Sequence, residues 1–162
     1  MFDTKNNHQL HAEAIGLITN SLQNSIDIGS VVSKDLKSGK GLPYHVEWNG
    51  LRFLVKVARP SIKLSQGRAK WFYSLRQTDR DQVDFFILFC LLENRVEAIY
   101  CIPKEFAPKV YFTITKLGQA MRYEYFRVTL ENMPERIMEI KSSMKRLIKI
   151  NSEAKVFGRQ NG

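Results

Sequence analysis

A histidine, a carboxylate and a lysine stand close together in the stretch LPYHVEWNGLRFLVKVARPS, residues 42–61. His45, Glu47 and Lys56 are of types that bind metals, move protons or share the charge of a phosphate. What they can do together depends on which side of the backbone each one faces. Asn49-Gly50 decides this, because the dipeptide favours a two-residue type I′ turn. With that turn, Trp48 opposes Leu51, Glu47 opposes Arg52, Val46 opposes Phe53 and His45 opposes Leu54. Opposed residues share a sheet face, and faces alternate along each strand. Tyr44, Val46, Trp48, Leu51, Phe53, Val55 and Val57 therefore form an apolar core face. His45, Glu47, Arg52, Leu54 and Lys56 share the other, which reads as the polar face.

Each candidate also has a plain structural role. Glu47 opposite Arg52 suits a cross-strand ion pair, and His45 suits a solvated or hydrogen-bonding histidine. Lysines such as Lys56 commonly edge strands. Glu13 falls about 40° from Leu17 on a helix, at the border of the buried stripe. His8 and His11 make an HxxH pair with no third ligand evident, so zinc is not expected. The chain has no P-loop, no GxGxxG and no nucleophile elbow.

The elements that must position these groups follow from periodicity. Leu10, Ala14, Leu17 and Ile18 predict a helix over 8–23. Residues 27–33 read as a short strand and 34–41 as a basic, glycine-containing loop. After the hairpin, residues 60–82 read as a loop and then a helix from Arg68. Val83–Leu92 is a buried strand, paired through Glu93-Asn94-Arg95 with a second strand over 96–102. Val110–Thr115 is another strand, and 120–130 is ambiguous between helix and strand. Ile137, Ile140, Met144, Leu147 and Ile148 form the apolar stripe of a helix over 134–150, flanked by Lys141, Lys145 and Lys149. The expectation is one domain over residues 1–150 and a frayed tail over 151–162.

The 162 residues carry a net charge of +9 and a pI of about 9.7. The positive excess is confined to two segments. Residues 34–80 hold eleven basic and three acidic groups, and residues 134–162 hold seven and three. Such clustering suits a polyanion partner better than solubility charge. Cys90 and Cys101 lie in apolar runs and read as buried thiols rather than a disulfide, which implies a reducing, cytoplasmic setting. The longest apolar run, residues 85–92, is too short to span a bilayer, so a soluble protein without a membrane role is expected.

The order helix, three strands, helix, strand, strand, together with Glu13, PYHVEWNGLRFLVKVAR, WFYSL at 71–75 and DFFILFCLLENRVEAIYCIP at 84–103, resembles the PD-(D/E)XK superfamily. Within it the chain is most similar to small intron-encoded homing endonucleases, over roughly residues 8–103. The resemblance implies an α/β restriction-endonuclease-like core (α-β-β-β-α-β) with a central mixed sheet flanked by helices and a basic amphipathic C-terminal helix. In that family an Asp on the second strand, a Glu or Gln on the third and a Lys two residues later converge on a divalent metal and the scissile phosphate. A Glu from the first helix often joins them. Here Lys56 fits the lysine and Glu13 the helix glutamate. Leu54 takes the Glu/Gln position, and the register puts His45, not Tyr44, at the Asp position. Leucine cannot bind a metal, and histidine is a soft replacement that suits Mg²⁺ poorly.

The expectation is therefore a nucleic-acid-binding protein of this nuclease fold with impaired or lost cleavage, and double-stranded DNA is the expected partner. The residues expected to meet it are Lys34, Lys37, Lys40, Arg59, Lys63, Arg68, Lys70, Lys141, Lys145 and Lys149. Arg59, Lys63, Arg68 and Lys70 flank Trp71, Phe72 and Tyr73, aromatics that read first as core. One alternative is an active Mg²⁺-dependent endonuclease, a phosphodiester hydrolase. It would use Glu13, His45, Glu47 and Lys56, with Glu13 and Glu47 as metal ligands. Another is a protein-interaction module with Leu54 on its binding face. A homodimer is implied by the resemblance alone.

Overall fold

The computed structural model describes residues 6–23, 32–34, 45–64, 68–115 and 123–160. Lys37, Lys40 and Tyr44 lie outside them, as do most of the expected 27–33 strand and the 34–41 loop.

Helix α1 spans Asn7–Gln23. A reciprocal capping box starts it: Gln9 N donates to Asn6 Oδ1 at 2.9 Å, and Asn6 N donates to Gln9 Oε1 at 3.0 Å. Its buried stripe is Leu10, Ala14, Ile18 and Leu22, and Glu13 is half-buried at the border of that stripe.

Strands β1 (Val32–Lys34), β2 (His45–Trp48) and β3 (Leu51–Ala58) form an antiparallel meander. Asn49 and Gly50 have φ of 55° and 75°, as a type I′ turn requires. The register is the expected one, from Trp48 opposite Leu51 to His45 opposite Leu54. Among the described residues the core face is buried, with Val46 and Phe53 fully enclosed. Strand β6 (Phe85–Leu92) then runs parallel to β3, Leu54 beside Phe86 and Lys56 beside Leu88. Strand β7 (Arg95–Pro103) pairs with it antiparallel, through a turn whose Glu93 and Asn94 both have positive φ. With β9 (Arg127–Val128), the described strands make a mixed sheet ordered β1-β2-β3-β6-β7-β9.

A helix is expected from Arg68, and the structure corrects this. Strands β4 (Ile62–Leu64), β5 (Arg68–Ser74) and β8 (Tyr111–Thr115) form a second sheet, ordered β4-β5-β8. The sequence of β5 alternates with period two: Ala69, Trp71 and Tyr73 are buried, whereas Phe72 and Ser74 are exposed. The intervening helix is the single turn α2, Gln77–Arg80. The two sheets are joined by buried polar bonds. Trp71 Nε1 donates to Leu91 O at 2.7 Å, and Tyr73 Oη donates to Phe89 O at 2.7 Å and lies 3.2 Å from Cys90 Sγ.

In the ambiguous 120–130 segment, a 3₁₀ turn at Glu124–Phe126 leads into β9. Helix α3 spans Met133–Gln160, well past the expected end at Ile150, so the backbone of 151–160 is helical. Its Met133, Ile137 and Ile140 are buried, and Met144 and Leu147 pack partly on the core. Ile148, placed in the stripe by spacing, is 40% exposed. Among the described residues, burial along α3 fades after its middle, so periodicity outruns the cover. No described helix is long and apolar enough to cross a membrane.

Candidate functional site

Among the described residues the β2–β3 pairs run from Trp48 opposite Leu51 to His45 opposite Leu54, while β3 runs on to Ala58 beside β6. Past Leu54, the β2 side of β3 is met by α1. His11 supplies a cap there: Val57 N donates to its Nε2 at 3.2 Å, and its Nδ1 lies 2.7 Å from Asn7 O. A carbonyl oxygen can only accept, so Nδ1 carries the proton and Nε2 accepts from Val57. Both ring nitrogens are thus used within the fold. His11 belongs to the join between α1 and β3, and the HxxH spacing has this structural role at its second histidine.

The hairpin face expected to be polar is only partly solvated, Arg52 being exposed. Leu54 is 1% exposed and His45 4% exposed, while Glu47 and Lys56 are half-buried. Part of the cover comes from elsewhere in the chain, where β5 packs against this side of the main sheet. Cys90, which Tyr73 touches, has the same sheet orientation as Leu54 and Lys56. Leu54 therefore presents no exposed binding surface, contrary to the place that the interaction-module alternative gives it.

Two charged groupings form on this face. Glu47 Oε1 lies 3.6 Å from His45 Nε2, two residues away on the same side of β2. Charges from α2 and the residue before it reach Lys56. Burial pushes its ammonium below the ordinary value of 10.5, the Asp79 carboxylate opposes that, and Arg76 adds to it. Asp79 is 2% exposed and is gripped by Arg76, whose Nε and Nη2 each donate to one carboxylate oxygen at 3.1 Å. Arg80 holds this turn in place, donating through Nη1 to the carbonyls of Lys104 and Ala107 at 2.9 Å and through Nη2 to that of Pro108.

Asp79 and Arg76 are the site residues that sequence reasoning missed. An acid and a base three apart on one helical turn were the available signal, but their nearness to Lys56 is a tertiary fact. Glu13 keeps its border position on α1. Among the described residues, no three of His, Cys, Asp and Glu gather as a metal would require. With Leu54 lacking a donor atom and His45 a soft one, the residues of this hairpin do not fit a Mg²⁺ ion.

A solved structure has a similar fold. The bacterial homing endonuclease I-Ssp6803I matches with a TM-score of 0.50 at 17% identity, over 88% of this chain and 99% of that one. This is a nuclease-like fold. MepB matches with a TM-score of 0.32 at 9% identity, over 62% of this chain and 78% of that one. No family model and no curated protein matches the sequence.

On this nuclease-like fold, the basic residues expected to meet nucleic acid take the following places. Lys34 lies on β1, opposite His45. Lys63 and Arg68 lie on β4 and β5, opposite Ala69 and Leu64. Arg59 is exposed just after β3, and Lys70 is half-buried on β5. Lys141, Lys145 and Lys149 are exposed along α3. Cys90 and Cys101 are buried free thiols, and burial pushes the Cys90 thiol up to about 12, so it is not a nucleophile.

Proposed function

We propose that this chain binds nucleic acid, with double-stranded DNA the first form to test, and that its cleavage activity is impaired or lost. The observation behind this reading is the pairing of His45 with Leu54, both buried, at the positions that the resemblance to PD-(D/E)XK nucleases assigns to their carboxylate and Glu/Gln. Lys56 is retained, but its neighbours on that face are Asp79 and Arg76 rather than a set of metal ligands. An ammonium within reach of a buried carboxylate that an exposed guanidinium holds does not by itself activate water. The clustered positive charge of residues 34–80 supports attraction to phosphates.

A second reading, a Mg²⁺-dependent endonuclease with a variant site, draws on the buried Asp79 carboxylate, whose charge reaches Lys56. One paired experiment separates the two. A salt-dependent DNA-binding titration is run beside a plasmid nicking assay with and without Mg²⁺. The first reading expects binding that weakens steeply with salt and no nicking above background. Mg²⁺-dependent nicking that is lost in Lys56→Ala and Asp79→Asn would establish the second instead. Absence of DNA binding at low salt would dismiss the first.

A further inference from the structure

The outer face of the β4-β5-β8 sheet holds two large rings in solvent. Phe72 is 45% exposed and Tyr111 59% exposed, and their ring centroids lie 5.0 Å apart at an interplanar angle of 38°. They sit diagonally across the β5–β8 pair, Phe72 opposite Thr113 and Ser74 opposite Tyr111. Lys70 stands on the same face, two residues before Phe72 and opposite Thr115. The other face of β5 is core, with Trp71 at 1% and Tyr73 at 3% exposure. Alternation thus turns Phe72 outward, where its ring adds little to the stability of the fold.

Charge selects among occupants. The strands read IKL, RAKWFYS and YFTIT, with basic residues on β4 and β5 and no acidic residue on any of the three. A second copy seated here would bring like charges together. A polyanion with flat apolar faces would meet both the lysine and the rings. Unpaired bases have such faces free, whereas a duplex keeps them stacked on one another and offers its edges and backbone.

We propose that Phe72 and Tyr111 form a stacking platform for the unpaired bases of a single-stranded nucleic acid, with Lys70 beside them to meet phosphate. This rests on the nucleic-acid-binding reading and narrows its ligand. The test is a fluorescence-anisotropy titration with a single-stranded DNA oligonucleotide, an RNA of the same sequence, an abasic strand of the same length, and a duplex.

Base-bearing single strands should bind about tenfold or more tighter than the abasic strand. The comparison of DNA with RNA then identifies the preferred sugar. Phe72→Ala with Tyr111→Ala should remove that preference while leaving abasic binding and its salt dependence unchanged. Both rings are exposed, so this variant should fold, and Phe72→Trp should retain the preference as an independent check. Equal binding of abasic and base-bearing strands would overturn the platform while leaving nucleic-acid binding intact. Failure to bind every probe, the duplex included, would overturn both. Concentration-dependent self-association that the double variant abolishes would assign the face to a second copy and overturn the platform.

Discussion

His45 and Leu54 stand opposite each other in the β2–β3 hairpin, and both are enclosed by the protein. Cα atoms in such antiparallel pairs approach to about 4.5 Å, or about 5.5 Å when hydrogen-bonded. Carboxylates at these two positions could therefore share one cation. The cost is set by burial. Leu54→Glu alone puts an unpaired charge in an apolar site and should destabilise the fold by several kcal/mol. His45→Asp with Leu54→Glu should be unstable in chelator and regain stability as Mg²⁺ is added, since a ligand that binds only the folded state stabilises it. Thermal melts at graded Mg²⁺ decide this. A double variant indifferent to Mg²⁺ would show that the two side chains do not converge.

Lys56 offers a test by pH. Its amine loses protons more readily in the folded state than at the ordinary value of 10.5 that it recovers on unfolding. Between the two values the unfolded chain holds more protons at this position. The contribution of Lys56 to stability therefore rises with pH across that window and levels off above it. Asp79→Asn removes the charge that helps retain the proton. An NMR titration of the Lys56 side chain should give a midpoint below 10.5, and a lower one in Asp79→Asn. A midpoint that rises in Asp79→Asn would contradict this placement of charges.

Replacing His11 tests the join between α1 and β3. His11→Ala deprives the buried Val57 N–H of its acceptor, and a buried donor left unmade costs about 1–3 kcal/mol. Denaturant unfolding should show that loss. With both ring nitrogens committed within the fold, added zinc should not raise the melting temperature. A zinc-dependent rise that His11→Ala removes would restore the metal reading of HxxH.

The basic segments predict a salt signature. Replacing Arg59, Lys63, Arg68 and Lys70 with alanine should weaken DNA binding and flatten its dependence on salt, by about 0.9 in log–log slope for each phosphate no longer neutralised. The same measurement on Lys141, Lys145 and Lys149 tests whether α3 contributes. Trp71→Phe is the control: it removes the bond to Leu91 O, costs about 1 kcal/mol of stability, and should leave the slope alone. An unchanged slope in both basic variants would remove these residues from the interface.

The sequence by itself determined what is local. Asn49-Gly50 fixes its own turn geometry, and that turn sets the register of every residue from His45 to Leu54. The apolar run at 85–92 could only be a buried strand, and the first turns of α3 could only be amphipathic helix. Even β5 carried a legible period, in Ala69, Trp71 and Tyr73, although its basic residues made the segment read as helix. The tertiary structure alone decided what covers the second face of the hairpin. No pattern within residues 45–56 reveals that β5, from 68–74, packs against the same side of the main sheet. Burial depends on surfaces brought together from distant parts of the chain, so a face that alternates like a solvated one encloses His45 and Leu54. The same folding brings Asp79 to Lys56, a pairing of charges that sequence spacing does not encode.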